Sequence, residues 1–223
     1  MKNSFGNALT VTLFGESHGP AIGAVLDGLA PGLSVNEDSI RKQLSLRRPA
    51  GKIATARVEA DEFQIVSGVF EGKTTGTPLC GVIYNRDTRS KDYSKLKDLP
   101  RPGHADYTAQ CKYHGYQDSR GGGHFSGRIT AALVAAGAVC KYALEQKGIR
   151  IGTHVKRCAG IPDRDFGDLN ADIRELNEKT FAVLEEERGE KMREAILAAA
   201  AAGDSVGGTV GCFIHGVPAG LGE

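Results

Sequence analysis

Three short segments of this chain set a histidine beside glycine and a hydroxyl or guanidinium side chain. Gly15-Glu16-Ser17-His18-Gly19-Pro20 follows an apolar strand-like run, and Arg101-Pro102-Gly103-His104-Ala105-Asp106 lies in a basic stretch. The third, Arg120-Gly121-Gly122-Gly123-His124-Phe125-Ser126-Gly127-Arg128, is glycine-rich. Imidazole is the side chain best suited to moving protons near neutral pH. Guanidinium matches phosphate and carboxylate oxygens in pairs. Together the three loops describe proton transfer on an anionic substrate. His18 and His104 are the expected catalytic pair, since Ser17 stands beside one and Arg101 and Asp106 stand near the other.

The glycine triplet also has the makings of an anion site. Backbone N–H groups of such a loop converge, and a following helix adds positive potential. Ser126 is the expected N-cap of that helix, and Arg120 and Arg128 flank the loop. Arg47-Arg48, just before Pro49, have two open readings: cations that complement a helix C-terminus, or part of the anion site. Gly72-Lys73-Thr74 imitates the end of a P-loop, but the required earlier glycine falls at Ser67, and Gly76 and Pro78 forbid the helix that must follow. No metal is expected, because the six histidines show no H-x-x-x-H or H-E-x-x-H spacing. His154 and His215, on strand-like runs, read as structural. A Ser17–His18 hydrolase is disfavoured because adjacent residues rarely reach the geometry of nucleophile and base.

The elements that must carry these residues alternate without a strict βαβ rhythm, which favours an α+β fold with antiparallel sheets. Strands are expected at Leu9–Phe14, Ile22–Leu26, Thr55–Val58, Gln64–Phe70, Leu79–Tyr84, Arg150–Cys158 and Val206–Ile214. Ser34-x-x-Glu37 has the form of a capping box opening a helix with Ile40 and Leu44 on its apolar side. A short helix is expected at 105–113, a buried one at Thr130–Glu145, and a long helical stretch at 172–202 broken near Gly189. Asn85 to Arg101, charged and poor in apolar residues, reads as a long surface loop able to carry function.

At 223 residues, with 40% hydrophobic and 25% charged residues, the chain is an ordinary globular protein. No linker divides it, so one domain over 1–223 is expected. A net charge of +1 gives no global field for nucleic acid or an anionic membrane, so anions must be bound by local clusters. Five widely spaced cysteines without a C-x-x-C pair suit a reducing cytoplasm. The N-terminus lacks a signal or transit pattern, and no apolar run reaches the length of a membrane span.

Read together, these segments closely resemble the signatures of the chorismate synthase family. The resemblance begins at Gly15-Glu16-Ser17-His18-Gly19 with Val25-Leu26-Asp27-Gly28 and continues through Leu46-Arg47-Arg48-Pro49 and Ser67–Gly76. It runs on through Ser90-Lys91-Asp92-Tyr93, the Arg101–Asp106 segment, the glycine triplet, and Ala135-Ala136-Gly137-Ala138. It ends with Gly203–Gly208 and Gly216–Glu223. The family eliminates phosphate from 5-enolpyruvylshikimate 3-phosphate in a 1,4-elimination that yields chorismate, the last shared step toward aromatic amino acids. The reaction needs reduced FMN yet consumes no net reducing equivalent, with NADPH a possible source of the reduced flavin.

The resemblance implies that His18 protonates the leaving phosphate and that Ser17 lies beside it. It implies that His104 faces the flavin and that Arg47, Arg48, Arg101 and Arg128 hold the substrate's phosphate and carboxylates. Arg47, Lys52 and the segment His124-Phe125-Ser126 would contact the flavin, Ser126 touching substrate as well. The implied fold sandwiches helices between antiparallel sheets, and the implied assembly is a cytoplasmic homotetramer with a small anionic substrate and neither nucleic acid nor membrane as partner. Two departures stand out. Many members carry Arg-Ser-Ser or Arg-Ala-Ser followed by Ala-Arg-Glu-Thr where this chain has His124–Thr130, so Ser126, Arg128 and Thr130 survive while an arginine and a glutamate are replaced. The chain also stops at Glu223, whereas the family continues and adds further flavin contacts. It therefore reads as the N-terminal part of the enzyme. A catalytically silent fragment that binds anions is the rival reading, and a phosphate-ester hydrolase is a third.

Overall fold

The computed structural model describes residues 2–48, 53, 61–86 and 99–221. The strand expected at Thr55–Val58, the flavin contact expected at Lys52, Pro49 and the Ser90–Tyr93 signature lie outside the described residues. In chain order the elements are β1 (Ser4–Phe5), β2 (Thr10–Gly15), β3 (Ala21–Asp27), α1 (Glu37–Arg47), β4 (Phe63–Ser67), β5 (Val69–Phe70), β6 (Lys73–Thr74) and β7 (Leu79–Tyr84). There follow α2 (Asp106–Tyr113), α3 (Thr130–Glu145), β8 (Arg150–Cys158), β9 (Ile161–Pro162), α4 (Leu169–Leu176), α5 (Glu186–Ala201) and β10 (Gly208–His215). They form two compact units, one from the described residues within Met1–Arg47 and Glu59–Ala143, the other from those within Arg48–Val58 and Leu144–Glu223. All strand pairings among the described residues are antiparallel, so the α+β class holds.

The first unit is built on a five-stranded sheet in the order β1-β2-β3-β7-β4. Along β7 burial alternates, with Leu79, Gly81 and Ile83 inside, as the two-residue period of a half-covered sheet requires. The core joins Ile22, Ala24 and Leu26 of β3 and Leu79 and Ile83 of β7 to Ile40 and Leu44 of α1 and to Ala131, Ala132, Ala135 and Ala136 of α3. Those alanines let a whole helix lie close on the sheet at no cost in side-chain entropy. Gly127–Glu145 is long and apolar enough, by composition, to cross a membrane, which corrects the expectation that no run reaches that length. Its alanine face is spent in the core.

Register then places the chemistry. Gly15 pairs with Ile22 across β2 and β3, so Ser17 and His18 occupy the tip of that hairpin. Ala21 pairs with Tyr84, which sets Asn85 beside the same tip.

Local cues misplace two features of this unit. Asn36, not Ser34, caps α1: its Oδ1 accepts from Ser39 N at 3.0 Å, while Ser34 forms a β-bridge with Lys73. The run Gln64–Phe70 divides at Gly68 into β4 and β5, which belong to different sheets, because a residue at φ +84° turns the chain there. Lys73 and Thr74 form a strand, consistent with the P-loop being a decoy.

In the second unit β10, β8 and β9 form a three-stranded sheet, with α4 against β8 and α5 against β9. Cys158, Val183 and Met192 are its buried centre, with Val155, Ile161, Phe181 and Ile196 packed around them. The long helical stretch breaks between Leu176 and Glu186, not at Gly189. Gly189 lies inside α5, where a Cβ would meet Val183 Cγ2 at 2.6 Å. The glycine serves close packing. His154 is buried and packs edge-on against Phe166, with ring centroids 4.7 Å apart, in line with its structural reading.

Candidate active site

Ser17 and His18 are both buried at the hairpin tip. The backbone N–H of Ser17 donates to the Gly123 carbonyl at 3.1 Å, tying the tip to the glycine triplet. Ser17 Oγ donates to the Arg120 carbonyl at 3.3 Å and lies 3.1 Å from His18 Nδ1. With its own proton given to Arg120, the hydroxyl accepts from His18 Nδ1–H, which makes Nε2 the nitrogen for proton exchange. The two adjacent side chains do touch here, but not as nucleophile and base: Ser17 is 0% exposed and its hydroxyl proton points at a carbonyl.

His104 precedes α2 and is held differently. Its Nδ1 lies 2.7 Å from Asp106 Oδ1, and Asp106 also accepts from Arg101 through Nε at 2.8 Å, Nη2 at 3.0 Å and the backbone N–H at 3.0 Å. Hydrogen bonding to Arg101, opposed by partial burial and aided by the charges of Arg101 and His104, holds the Asp106 carboxyl far below the usual carboxylate range. A depressed folded value means this pairing is fully present above about pH 4 and is lost only as pH falls through the lowered value. Asp106 thus fixes the tautomer, so His104 also presents Nε2 to chemistry.

The triplet brings the two histidines together. Gly121, Gly122 and Gly123 have φ of 60°, 93° and 54° in succession, a path that residues with a Cβ rarely follow. A Cβ on Gly121 would stand 2.1 Å from His18 Cε1, and one on Gly122 would stand 2.7 Å from His104 Cε1. Each imidazole therefore lies directly on a neighbouring glycine. We expect Gly121→Ala to displace the His18 ring and reduce turnover by about 10²-fold, the penalty of roughly ångström-scale misplacement of a reacting group. Steady-state kinetics with a thermal melt check this, and a variant with normal turnover would show the close approach to be dispensable.

A second cluster surrounds one carboxylate. Asp61 is buried, with φ of 47°, and pairs with both Arg128 Nη1 and, at 3.2 Å, Arg47 Nη1. Arg47, the last residue of α1, also donates to the Gly127 carbonyl at 2.9 Å and to Thr130 Oγ1 at 3.2 Å. The helix-end arginine therefore reaches the start of α3 instead of standing free over its own helix terminus. Arg128 is buried and donates from Nε to Asn85 Oδ1 at 3.2 Å. Ser126 caps the turn before α3 as expected, its Oγ accepting from Arg128 N at 3.2 Å. Arg48 follows Arg47 and is exposed.

His124 and Phe125 face another way. His124 Nδ1 lies 2.9 Å from the Gly15 carbonyl, and both residues line a cleft of about 390 Å³ with Phe14, Glu16, Tyr113 and Asp118. Hydrogen bonding to Arg120, opposed by burial and assisted by the charges of Arg120 and His18, holds the Asp118 carboxyl below its usual value. Among the described residues, no three His, Cys, Asp or Glu side chains converge as metal donors. Sequence reading missed Asp61 and Asn85. Asp61 had no signal beyond an acid just before a strand, and Asn85 had only its place at the head of a charged loop.

Residues 9–223 match the family model described as chorismate synthase. The chain is 51% identical over 222 residues to a protein named chorismate synthase from a Nitratiruptor species, covering 99% of this chain and 60% of that protein. It is 44% identical over 223 residues to one from Aeropyrum pernix, covering 100% of this chain and 59% of the relative. A crystal structure of chorismate synthase superposes with a TM-score of 0.73 at 28% identity, covering 97% of this chain and 61% of that one. The chain thus spans about three fifths of the length of the relatives it matches.

Proposed function

The chain belongs to the chorismate synthase family, and on that premise we propose that it carries the proton-donating and anion-holding part of a phosphate lyase. The proposed reaction is the 1,4-elimination that converts 5-enolpyruvylshikimate 3-phosphate to chorismate. In net terms one C–O bond to phosphate and one C–H bond break, the existing double bond shifts and a second C=C forms, with phosphate leaving and the hydrogen departing as a proton. The observation that carries the reading is the placement of His18 and His104 on adjacent glycines, each with Nδ1 engaged by its own neighbour.

His18, charged and donating Nδ1–H to Ser17, hands its Nε2 proton to the departing phosphate oxygen. Burial of the pair keeps bulk water from supplying that proton instead. Arg47, Arg48 and Arg101 offer guanidinium donors to the substrate's phosphate and carboxylates. Arg128, buried between Asp61 and Asn85, shares the Asp61 carboxylate with Arg47. Guanidinium groups and the His104 ring would suit the phosphate and the ring edge of a flavin mononucleotide, whereas His124 and Phe125 line a cleft to which His104 does not contribute. A reduced flavin held there would supply electron density to the substrate with no net consumption of reducing equivalents. A cytoplasmic location, a tetrameric assembly and NADPH as reductant belong to the same proposal.

The test is anaerobic incubation of the full chain with 5-enolpyruvylshikimate 3-phosphate, with and without chemically reduced FMN, following chorismate and phosphate together. Chorismate formed only with reduced FMN supports the reading. Phosphate released without flavin points to a hydrolase, and binding without turnover identifies a silent anion-binding piece.

A further inference from the structure

Asn85 joins the two clusters that the mechanism uses separately. Its Nδ2 donates to the carbonyls of Glu16 at 3.0 Å and Gly19 at 2.8 Å, bracketing Ser17 and His18. Its Oδ1 accepts from Arg128 Nε at 3.2 Å, and its backbone N–H donates to the Pro20 carbonyl at 3.0 Å. The orientation of this amide is dictated by its partners. The reversed orientation would set its oxygen against two carbonyls and its NH₂ against a guanidinium N–H. Arg128 is in turn held by Asp61, which also pairs with Arg47.

We propose that Asn85 is a positioning residue. It clamps the hairpin tip that carries the proton donor and registers that tip against the arginine frame, so that the proton and the substrate's anions are presented in one geometry. This rests on the reading that His18 delivers the proton. The asparagine amide is suited to the place because it is donor and acceptor at once. Aspartate, nearly the same shape, keeps the acceptor for Arg128 but turns a carboxylate oxygen toward two carbonyls.

The experiment compares Asn85→Ala and Asn85→Asp with the unaltered full chain by amide hydrogen exchange and by steady-state kinetics. In both variants exchange at the Ser17 and Gly19 amides should accelerate by about tenfold or more while amides within β2 and β3 keep their rates, as for a local opening. Turnover should fall roughly 10- to 100-fold with KM changed by less than about threefold, since geometry and not capture is lost. Asn85→Asp should be at least as impaired as Asn85→Ala although it preserves the Arg128 contact. Unchanged exchange at the tip, or an aspartate variant that behaves like the original, would overturn the proposal. So would acceleration of every amide in the first unit, which marks a merely structural role. If the unaltered chain does not turn over, the lyase reading fails, and the exchange data still decide whether Asn85 is the clamp.

Discussion

His18→Ala is expected to lower turnover by about 10²–10⁴-fold, the usual contribution of a general acid or base, while leaving substrate affinity close to its original value. On the proposed reaction, the donated proton matters as the phosphate departs, when negative charge gathers on the leaving oxygen, and it matters little while substrate merely sits in the site. Loss of the acid should therefore appear in kcat and in kcat/KM alike, with little change in KM. The geometry makes the consequence severe. Ser17 is fully buried and His18 nearly so, which separates the site from bulk water as an alternative proton source. The measurement is turnover with reduced FMN, set beside direct titration with 5-enolpyruvylshikimate 3-phosphate. A variant that keeps near-normal turnover but binds substrate weakly would remove His18 from the acid role.

Asp61→Ala should destabilise the first unit by about 3–5 kcal/mol, the range seen when one partner of a buried ion pair is deleted. Asp61 and Arg128 have side-chain exposures of 2% and 5%, so the abandoned guanidinium cannot simply turn to solvent. Alanine would also have to hold φ near 47°, a left-handed conformation costing an ordinary residue roughly 1–2 kcal/mol. Asp61→Asn separates the two contributions. Asparagine tolerates that backbone and can accept from one arginine, so it should lose less stability than alanine while still removing the charge. Urea unfolding of both variants, read at constant m, is the check. An alanine variant within about 1 kcal/mol of the original would mean that the carboxylate contributes no more than an exposed pair does.

Much of the frame was legible in local pattern. The β7 boundaries, helix α3, strand β8 and the Ser126 cap were all readable, because strand alternation, an unbroken alanine-rich run and a capping hydroxyl are local consequences of backbone geometry. The three histidine loops were equally plain, since glycine beside a chemically versatile side chain is unusual wherever it falls. Where two local explanations compete, pattern fails. Ser34 and Asn36 are both good caps, and only the β-bridge of Ser34 with Lys73 decides between them. Gly189 resembles a helix break until Val183 is found pressed against it.

The residue types at the hairpin tip, the basic loop and the glycine triplet by themselves pointed to proton and anion chemistry, and their spacing carried the resemblance to the family. Tertiary structure alone decided how those residues cooperate. Arg128 meets Asp61 across 67 residues and Asn85 across 43, separations over which no local periodicity operates. Those meetings depend on the β3–β7 register and on an alanine face that seats α3 against the sheet. The glycine triplet shows the same division. Its composition announced an unusual backbone, but only the folded chain revealed that His18 and His104 occupy the space where side chains on Gly121 and Gly122 would have been.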